Sequence, residues 1–291
     1  MIYLLLSIFF STLILVVFRL FKRYGINTFQ AIVFNYIIAF LVGFGLYGNQ
    51  WDNSLINSGS WIPFALVIGV LFISLFLLMG KSAQENGIGI TSVTVKMSLA
   101  IPVLLAIYIY NESVYLTKIL GIIGALIGVF LITFQKKQQI SSSKVQASRG
   151  NVLFLIILFV GSGLLDTLLN YVEKRALGDL SPALFSAIGF GIAGVIGVIL
   201  FSSSLLLKKQ LFNWKNVLAG VILGIPNYFS IYFLIMAIRE PWDDSITYAI
   251  NNVGIVMASY LLGIILFKES TTFLKLLGGA ISIIAIILLT L

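Results

Sequence analysis

Cysteine and histidine are both missing from this sequence. Their absence removes disulfides, Cys/His zinc sites, haem and iron–sulfur ligation, and the commonest general base near neutral pH. Charge is scarce too: Asp, Glu, Lys and Arg make up 10% of the residues, against about a quarter in a soluble domain. No hydrophilic stretch is long enough to fold as a separate domain. There is no Walker-type phosphate loop, which argues against ATP driving any process directly. Neither a nucleophile–base pair nor an acidic metal cluster can be picked out. The sequence therefore calls for no cofactor and no metal, and reads as something other than an enzyme.

What it has in excess is apolar length. Of 291 residues, 60% are hydrophobic, and the mean hydropathy is +1.10. A helix needs about 20 mostly apolar residues to cross about 30 Å of hydrocarbon. Such runs occur at 2–20, 28–48, 61–80, 88–110 and 116–135, and again at 151–172, 182–204, 216–238, 245–267 and 272–291. The first run lacks the basic leader and small-residue cleavage site of a signal peptide, and is read as a retained span. The expected fold is an all-α integral membrane protein of ten transmembrane helices, set in a bacterial cytoplasmic membrane. The polar stretch Lys136 to Gly150 divides the chain into 1–135 and 151–291, five spans on either side.

Five spans return the chain on the opposite side of the membrane, so two homologous halves would be inverted relative to each other. An internal repeat is visible at an offset of 157 positions, which aligns 68–134 with 225–291 without a gap. Matches of Leu and Phe mean little between apolar helices. The match of Glu112-Ser113, Lys118 and Gly121 with Glu269-Ser270, Lys275 and Gly278 means more, because charged residues are rare here.

The formal net charge of +8 could suggest nucleic acid, but the excess sits in short connections and serves topology instead. Most Lys and Arg fall in the odd-numbered connections, including Lys136, Lys137, Lys144 and Arg149. The even-numbered ones hold only Lys118, Lys174, Arg175 and Arg239. Positive residues favour the cytoplasm, which predicts the central linker inside and both termini outside.

The segment Ile101–Phe134 carries a Pro-Val pair (Pro102-Val103), an apolar stretch, Glu112 in a short turn, and a span with Gly121, Gly124 and Gly128. This resembles the repeat of the drug/metabolite transporter superfamily, EamA type. The second copy keeps Glu269 and Gly278 but has Ser259-Tyr260 where the Pro-Val pair would fall. The resemblance implies a ten-span carrier of two inverted repeats. It also implies a central cavity surrounded by spans 1, 3, 4, 6, 8 and 9, and a cargo drawn from amino acids, drugs, sugars and other metabolites. Cytoplasmic termini are usual in that family, opposite to the charge distribution here.

Candidate substrate-binding residues are the polar ones inside spans. Lys96 lies eight residues into span 4, roughly 12 Å deep, where a lysine faces a cavity or a partner unless its stem snorkels outward. Asp166 lies within span 6, roughly 22 Å deep, with Asn170 one turn on. If that span ended near Leu165, Asp166 would merely sit at the interface. Span 8 offers Asn227 and Tyr228 beside Pro226, a site for a kink. Span 9 presents Tyr248, Asn252 and Ser259 on one face. Any single Asn is as readily explained by interhelical hydrogen bonding. Glu112 and Glu269 read as structural groups, capping or pairing with Lys118 and Lys275, and Glu173 reads as a solvated helix end. Gly121, Gly124 and Gly128, with Gly278, Gly279 and Ala280, read as close-packing positions.

The expected function is a secondary transporter, in the exporting direction, of a small metabolite such as an amino acid or other zwitterionic or anionic solute. Asp166 is the candidate for proton coupling. A channel and a membrane-embedded enzyme are the competing classes.

Overall fold

The computed structural model describes residues 1–57, 60–85, 94–133, 149–207, 211–268 and 272–290. Its described residues form helices and connections, with no strands among them. The longer helices are α1 (Ile2–Tyr24), α2 (Thr28–Tyr47), α3 (Trp61–Glu85), α4 (Thr94–Ile109), α5 (Leu116–Thr133), α6 (Arg149–Tyr171), α7 (Pro182–Leu206), α8 (Trp214–Ile238), α9 (Asp244–Phe267) and α10 (Phe273–Thr290). Seven of them are long and apolar enough to cross a membrane; α4, α5 and α10 are shorter apolar helices. The start of the expected span 4 and all of the linker before Arg149 lie outside the described residues. Arg149 and Gly150 already belong to α6.

Local sequence sets the helix ends. The side chains of Asn27, Ser181 and Asn213 accept hydrogen bonds from the backbone N–H groups of Gln30, Leu184 and Lys215 at the starts of α2, α7 and α8. Pro182 occupies the first turn of α7, where a missing N–H does no harm. Gly25, at φ 64°, closes α1 in the left-handed conformation that glycine adopts without strain. Pro226 lies inside α8, which stays helical on both sides of it.

The chain forms two compact units, each drawing on both halves of the sequence. Unit 1 comprises Met1–Leu77 and Leu168–Trp242, and unit 2 comprises Leu78–Thr167 and Asp243–Leu291. In unit 1, α2 packs against α7 and α8, and α1 packs against α8. Gly191, Gly194 and Gly197 of α7 meet Phe40, Ile37 and Val33 of α2 in descending order, so these two helices run antiparallel. Gly220 and Gly224 of α8 let the α2 backbone come close: a β-carbon at Gly224 would stand 2.7 Å from the Asn35 carbonyl oxygen. Phe72 and Phe190 stack at 4.9 Å between centroids, beside Tyr36, whose hydroxyl donates to the Phe72 carbonyl at 2.8 Å.

In unit 2, α5 packs along α10, and α9 packs against α4, α5 and α10. Gly121 meets Ala285 and Leu289, Gly124 meets Ala285 and Ile281, and Gly128 meets Gly278 and Ser282, again in antiparallel order. The expected close packing of Gly121, Gly124, Gly128 and Gly278 is present. Gly279 is an exception, with nothing within 4 Å of where its β-carbon would be.

The span around Lys96 differs from the unbroken helix expected there. The helix is interrupted by a turn at Ser98-Leu99. Pro102 has no N–H to give the Ser98 carbonyl four residues earlier. That carbonyl accepts instead from the Ile101 N–H at 3.0 Å, while the Ser98 hydroxyl bonds back to the Val95 carbonyl at 2.6 Å. Lys96 thus sits one turn before a tightened segment rather than in mid-helix.

Candidate functional site

Four of the seven sequence-derived candidates come together in unit 2. Lys96 on α4 and Asp166 on α6 are both partly buried. Tyr248 and Asn252 on α9 are 0% and 8% exposed. The Lys96 ammonium donates to Asn252 Oδ1 in a long contact of 3.5 Å. The Asn252 amide donates to the Tyr248 carbonyl at 3.1 Å, and the Tyr248 hydroxyl donates to the main-chain carbonyl of Asp166 at 2.7 Å. Lys96 and Asp166 are close enough to influence one another electrostatically. They form no direct ion pair with each other; Lys118 pairs instead with Glu112 and Asp243, and Arg239 with Glu173. An anchored scaffold of Tyr248 and Asn252 therefore holds a cation and an anion in one neighbourhood while leaving them apart. Helix α6 continues to Tyr171, so Asp166 lies within the helix and not at its end. Ser259, expected on the same face of α9, bonds back to its own Ile255 carbonyl at 2.6 Å.

Asn170, Asn227 and Tyr228 belong to unit 1. Tyr228 is fully buried and its hydroxyl donates to the Ala183 carbonyl at 3.2 Å, a fastening contact. Both side-chain polar atoms of Asn170, and the amide nitrogen of Asn227, are buried without a hydrogen-bond partner. Such groups ordinarily find partners, and an orphan costs about 1–3 kcal/mol. Glu173 corrects the expectation of a solvated helix end. Its side chain is 4% exposed, pairs with Arg239, and lies in the π-helical turn Val172–Ala176 that follows α6.

Glu112 is structural, as its position suggested, with a wider set of partners than Lys118 alone. One carboxylate oxygen accepts from the Lys118 ammonium at 2.8 Å and from the Ser245 hydroxyl. The other accepts from the backbone N–H groups of Asp244 at 2.8 Å and Ser245 at 3.3 Å, capping α9. Lys118, fully buried, also binds the Asp243 carboxylate at 2.7 Å and the Ser113 carbonyl at 3.2 Å. Asp243, Asp244 and Ser245 escaped the sequence reading. Their signal was present: two adjacent acids followed by Ser, directly before an apolar run, in a chain where acids are rare. The equivalent Glu269 lies outside the described residues. Lys275 follows a different pattern, its ammonium standing 5.9 Å from the Tyr260 ring centre.

Comparison with known proteins agrees with this architecture. Residues 1–134 match the EamA-like transporter family. A Haemophilus influenzae protein, described as an uncharacterized protein, is 30% identical over 282 residues, spanning 95% of this chain and 93% of its own length. A solved crystal structure of a protein with 11% identity shares the fold, with a TM-score of 0.77 over 99% of this chain and 94% of the other. With its multiple apolar helices, the chain belongs to the EamA-like transporter family of the drug/metabolite transporter superfamily and is an integral, multi-pass membrane transporter.

Proposed function

We propose that this transporter is a secondary carrier that exports a small zwitterionic or anionic solute such as an amino acid, with Lys96 and Asp166 at its binding site. The observation carrying this reading is the separated charge pair. A lysine and an aspartate inside one membrane-embedded unit are expected either to neutralise each other directly or to face something polar. Here they lie within electrostatic reach, unpaired, beside the polar side chain of Asn252. A solute carboxylate fits Lys96 and a solute ammonium fits Asp166. In unit 1, the unpartnered amides of Asn170 and Asn227 suit polar contacts of their own.

Ten spans in two inverted repeats, 1–135 and 151–291 joined by 136–150, complete the reading. The bounds of α5, Leu116–Thr133, shifted by the sequence offset of 157, become those of α10, Phe273–Thr290. The contact of Gly121 with Ala285 becomes, under the same offset, that of Gly128 with Gly278. Contacts that exchange in this way are those of a two-fold axis between the helices, which supports the inverted repeat and the carrier mechanism built on it. The family is one of transporters rather than enzymes, and the bacterial relative supports a bacterial cytoplasmic membrane.

The test is counterflow in proteoliposomes preloaded with single amino acids. Saturable exchange of at least one zwitterionic amino acid is expected, and Lys96→Gln weakens it. A steady single-channel current without saturable exchange would replace the carrier by a channel. Exchange limited to uncharged solutes would remove the proposed role of the charge pair.

Orientation has its own test. The basic residues of the linker place it in the cytoplasm and both termini outside. Ser142→Cys is expected to resist an impermeant maleimide in intact cells and to react after permeabilisation. Ready labelling in intact cells would favour the opposite orientation, with cytoplasmic termini.

A further inference from the structure

Helices α2 and α8 of unit 1 run side by side in the same direction. Gly220 meets Ala31 and Phe34, Gly224 meets Asn35 and Ile38, and Gly43 leaves room for the Tyr228 ring. Two positive helix starts therefore lie together, and neither first turn contains an acid to offset them. In an ordinary capping box the third residue of a helix reaches back to the N–H of its own cap. Here the third residues are exchanged. Gln30, third in α2, accepts from the N–H of Asn213, the cap of α8, at 3.1 Å. Asn216, third in α8, accepts from the N–H of Asn27, the cap of α2, at 2.9 Å. The Asn216 amide donates in turn to Gln30 Oε1, and the Gln30 N–H donates to Asn27 Oδ1 at 3.1 Å. These bonds close a ring through Asn27, Asn216 and Gln30. Gln30 and Asn216 are both buried. At the other end of the pair the Tyr47 ring lies against Tyr232, 5.6 Å between centroids.

We propose that α2 and α8 form one rigid post, held in register through the transport cycle by their exchanged caps. A slide of one turn, about 5.4 Å, would break every exchanged bond and leave buried amides without partners. It would also carry Asn216 into the place of Gly220, or Tyr228 into that of Gly224. Both places admit little beyond glycine: a β-carbon would stand 2.8 Å from the Ala31 carbonyl oxygen at Gly220, and 2.7 Å from that of Asn35 at Gly224. The caps prevent sliding and the glycines set the spacing, so the two helices turn together. Conformational change in unit 1 then falls on contacts other than this one. Only the existence of a cycle rests on the carrier reading; the exchanged caps do not.

Because the chain has no cysteine, spin labels attach only where cysteines are introduced. Leu41 on α2 and Leu218 on α8 are exposed and lie outside the ring of caps. The Leu41→Cys/Leu218→Cys protein, doubly labelled in proteoliposomes, reports the register of the pair as a distance by pulsed electron spin resonance. With and without a saturating mixture of amino acids, one distance is expected, the two values agreeing within half a turn, about 2.7 Å. Two distances, or a shift of about a turn on adding the mixture, overturn the proposal. On the same labelled protein, Gln30→Leu breaks the ring and is expected to broaden or split the distance. Gln30→Glu keeps an acceptor for Asn213 and Asn216 and restores the single distance. An unchanged distance in Gln30→Leu shows that the exchanged caps do not hold the register, and overturns the proposal. Should Gln30→Leu fail to fold, Asn216→Ala takes its place with the same two outcomes. Counterflow of the amino-acid mixture in the same liposomes reports the carrier separately. Its absence refutes the carrier reading, while the Gln30 variants still decide on the exchanged caps.

Discussion

Lys118→Met is expected to lower the thermal unfolding temperature of the detergent-solubilised protein more than any other single substitution in unit 2. The wild-type ammonium is fully buried and pairs with Glu112 at 2.8 Å and Asp243 at 2.7 Å. Methionine keeps the length and apolar character of the stem, so packing changes little. What disappears is the cation that pairs with both acids, leaving the Glu112 carboxylate buried at the start of α9. Breaking a buried pair by removing one partner costs about 3–5 kcal/mol, a large share of the roughly 5–15 kcal/mol that holds a typical protein folded. Asp243→Asn should cost far less, about 1 kcal/mol or under, because Asp243 is one-third exposed and solvent already screens it. Glu112→Gln should fall between them: it keeps an acceptor for the Asp244 and Ser245 amides but gives up the charge that Lys118 needs. An unfolding temperature for Lys118→Met within error of the wild type would show that the network contributes nothing to the stability of unit 2.

The helices were legible in the sequence because their signal is repeated at every residue. An apolar run in a membrane must satisfy its backbone internally, and only a helix does so within one segment. Their ends were legible wherever a cap is local, as at Asn27, Ser181 and Asn213. The interruption in α4 is not legible from hydropathy, although its cause, Pro102, stands in the sequence as part of the family pattern. A proline acts on the carbonyl four residues before it, and that places the break beside Lys96.

The ion pair of Glu112 and Lys118 was legible because the two residues are six apart. Their links to Asp243, Asp244 and Ser245 were not, since those cross more than a hundred residues of chain and depend on which helices pack together. The same holds in unit 1 for Gln30. It accepts from the Asn213 N–H at 3.1 Å and from the Asn216 amide, and donates to the Leu211 carbonyl at 3.2 Å, locking the starts of α2 and α8. Glu173 was misread for a related reason. A run of Glu-Lys-Arg looks solvated in one dimension, and only the fold shows that Arg239 lies against it.

Lys96 and Asp166 give the last expected result, on binding rather than stability. Counting residues from the expected span ends put them about 10 Å apart in depth, too far for a direct pair. The start of span 4 lies outside the described residues, but Lys96 and Asp166 themselves lie within electrostatic reach of each other without forming an ion pair. If a zwitterionic solute bridges them, each side chain contributes a charge-assisted hydrogen bond worth about 1.5–3 kcal/mol. Lys96→Gln should then raise the half-saturation concentration for counterflow by about 10- to 100-fold, with the carrier still folded, since every 1.4 kcal/mol is a factor of ten. Asp166→Asn should do the same by failing the solute ammonium. The double substitution should be worse than either single one, because both ends of the solute lose their partner. A structural pair behaves in the opposite way: each single change strands a buried charge and destabilises the protein, and removing both relieves the strain. Recovery of counterflow in the Lys96→Gln/Asp166→Asn protein would therefore show that the two residues serve each other and not the cargo.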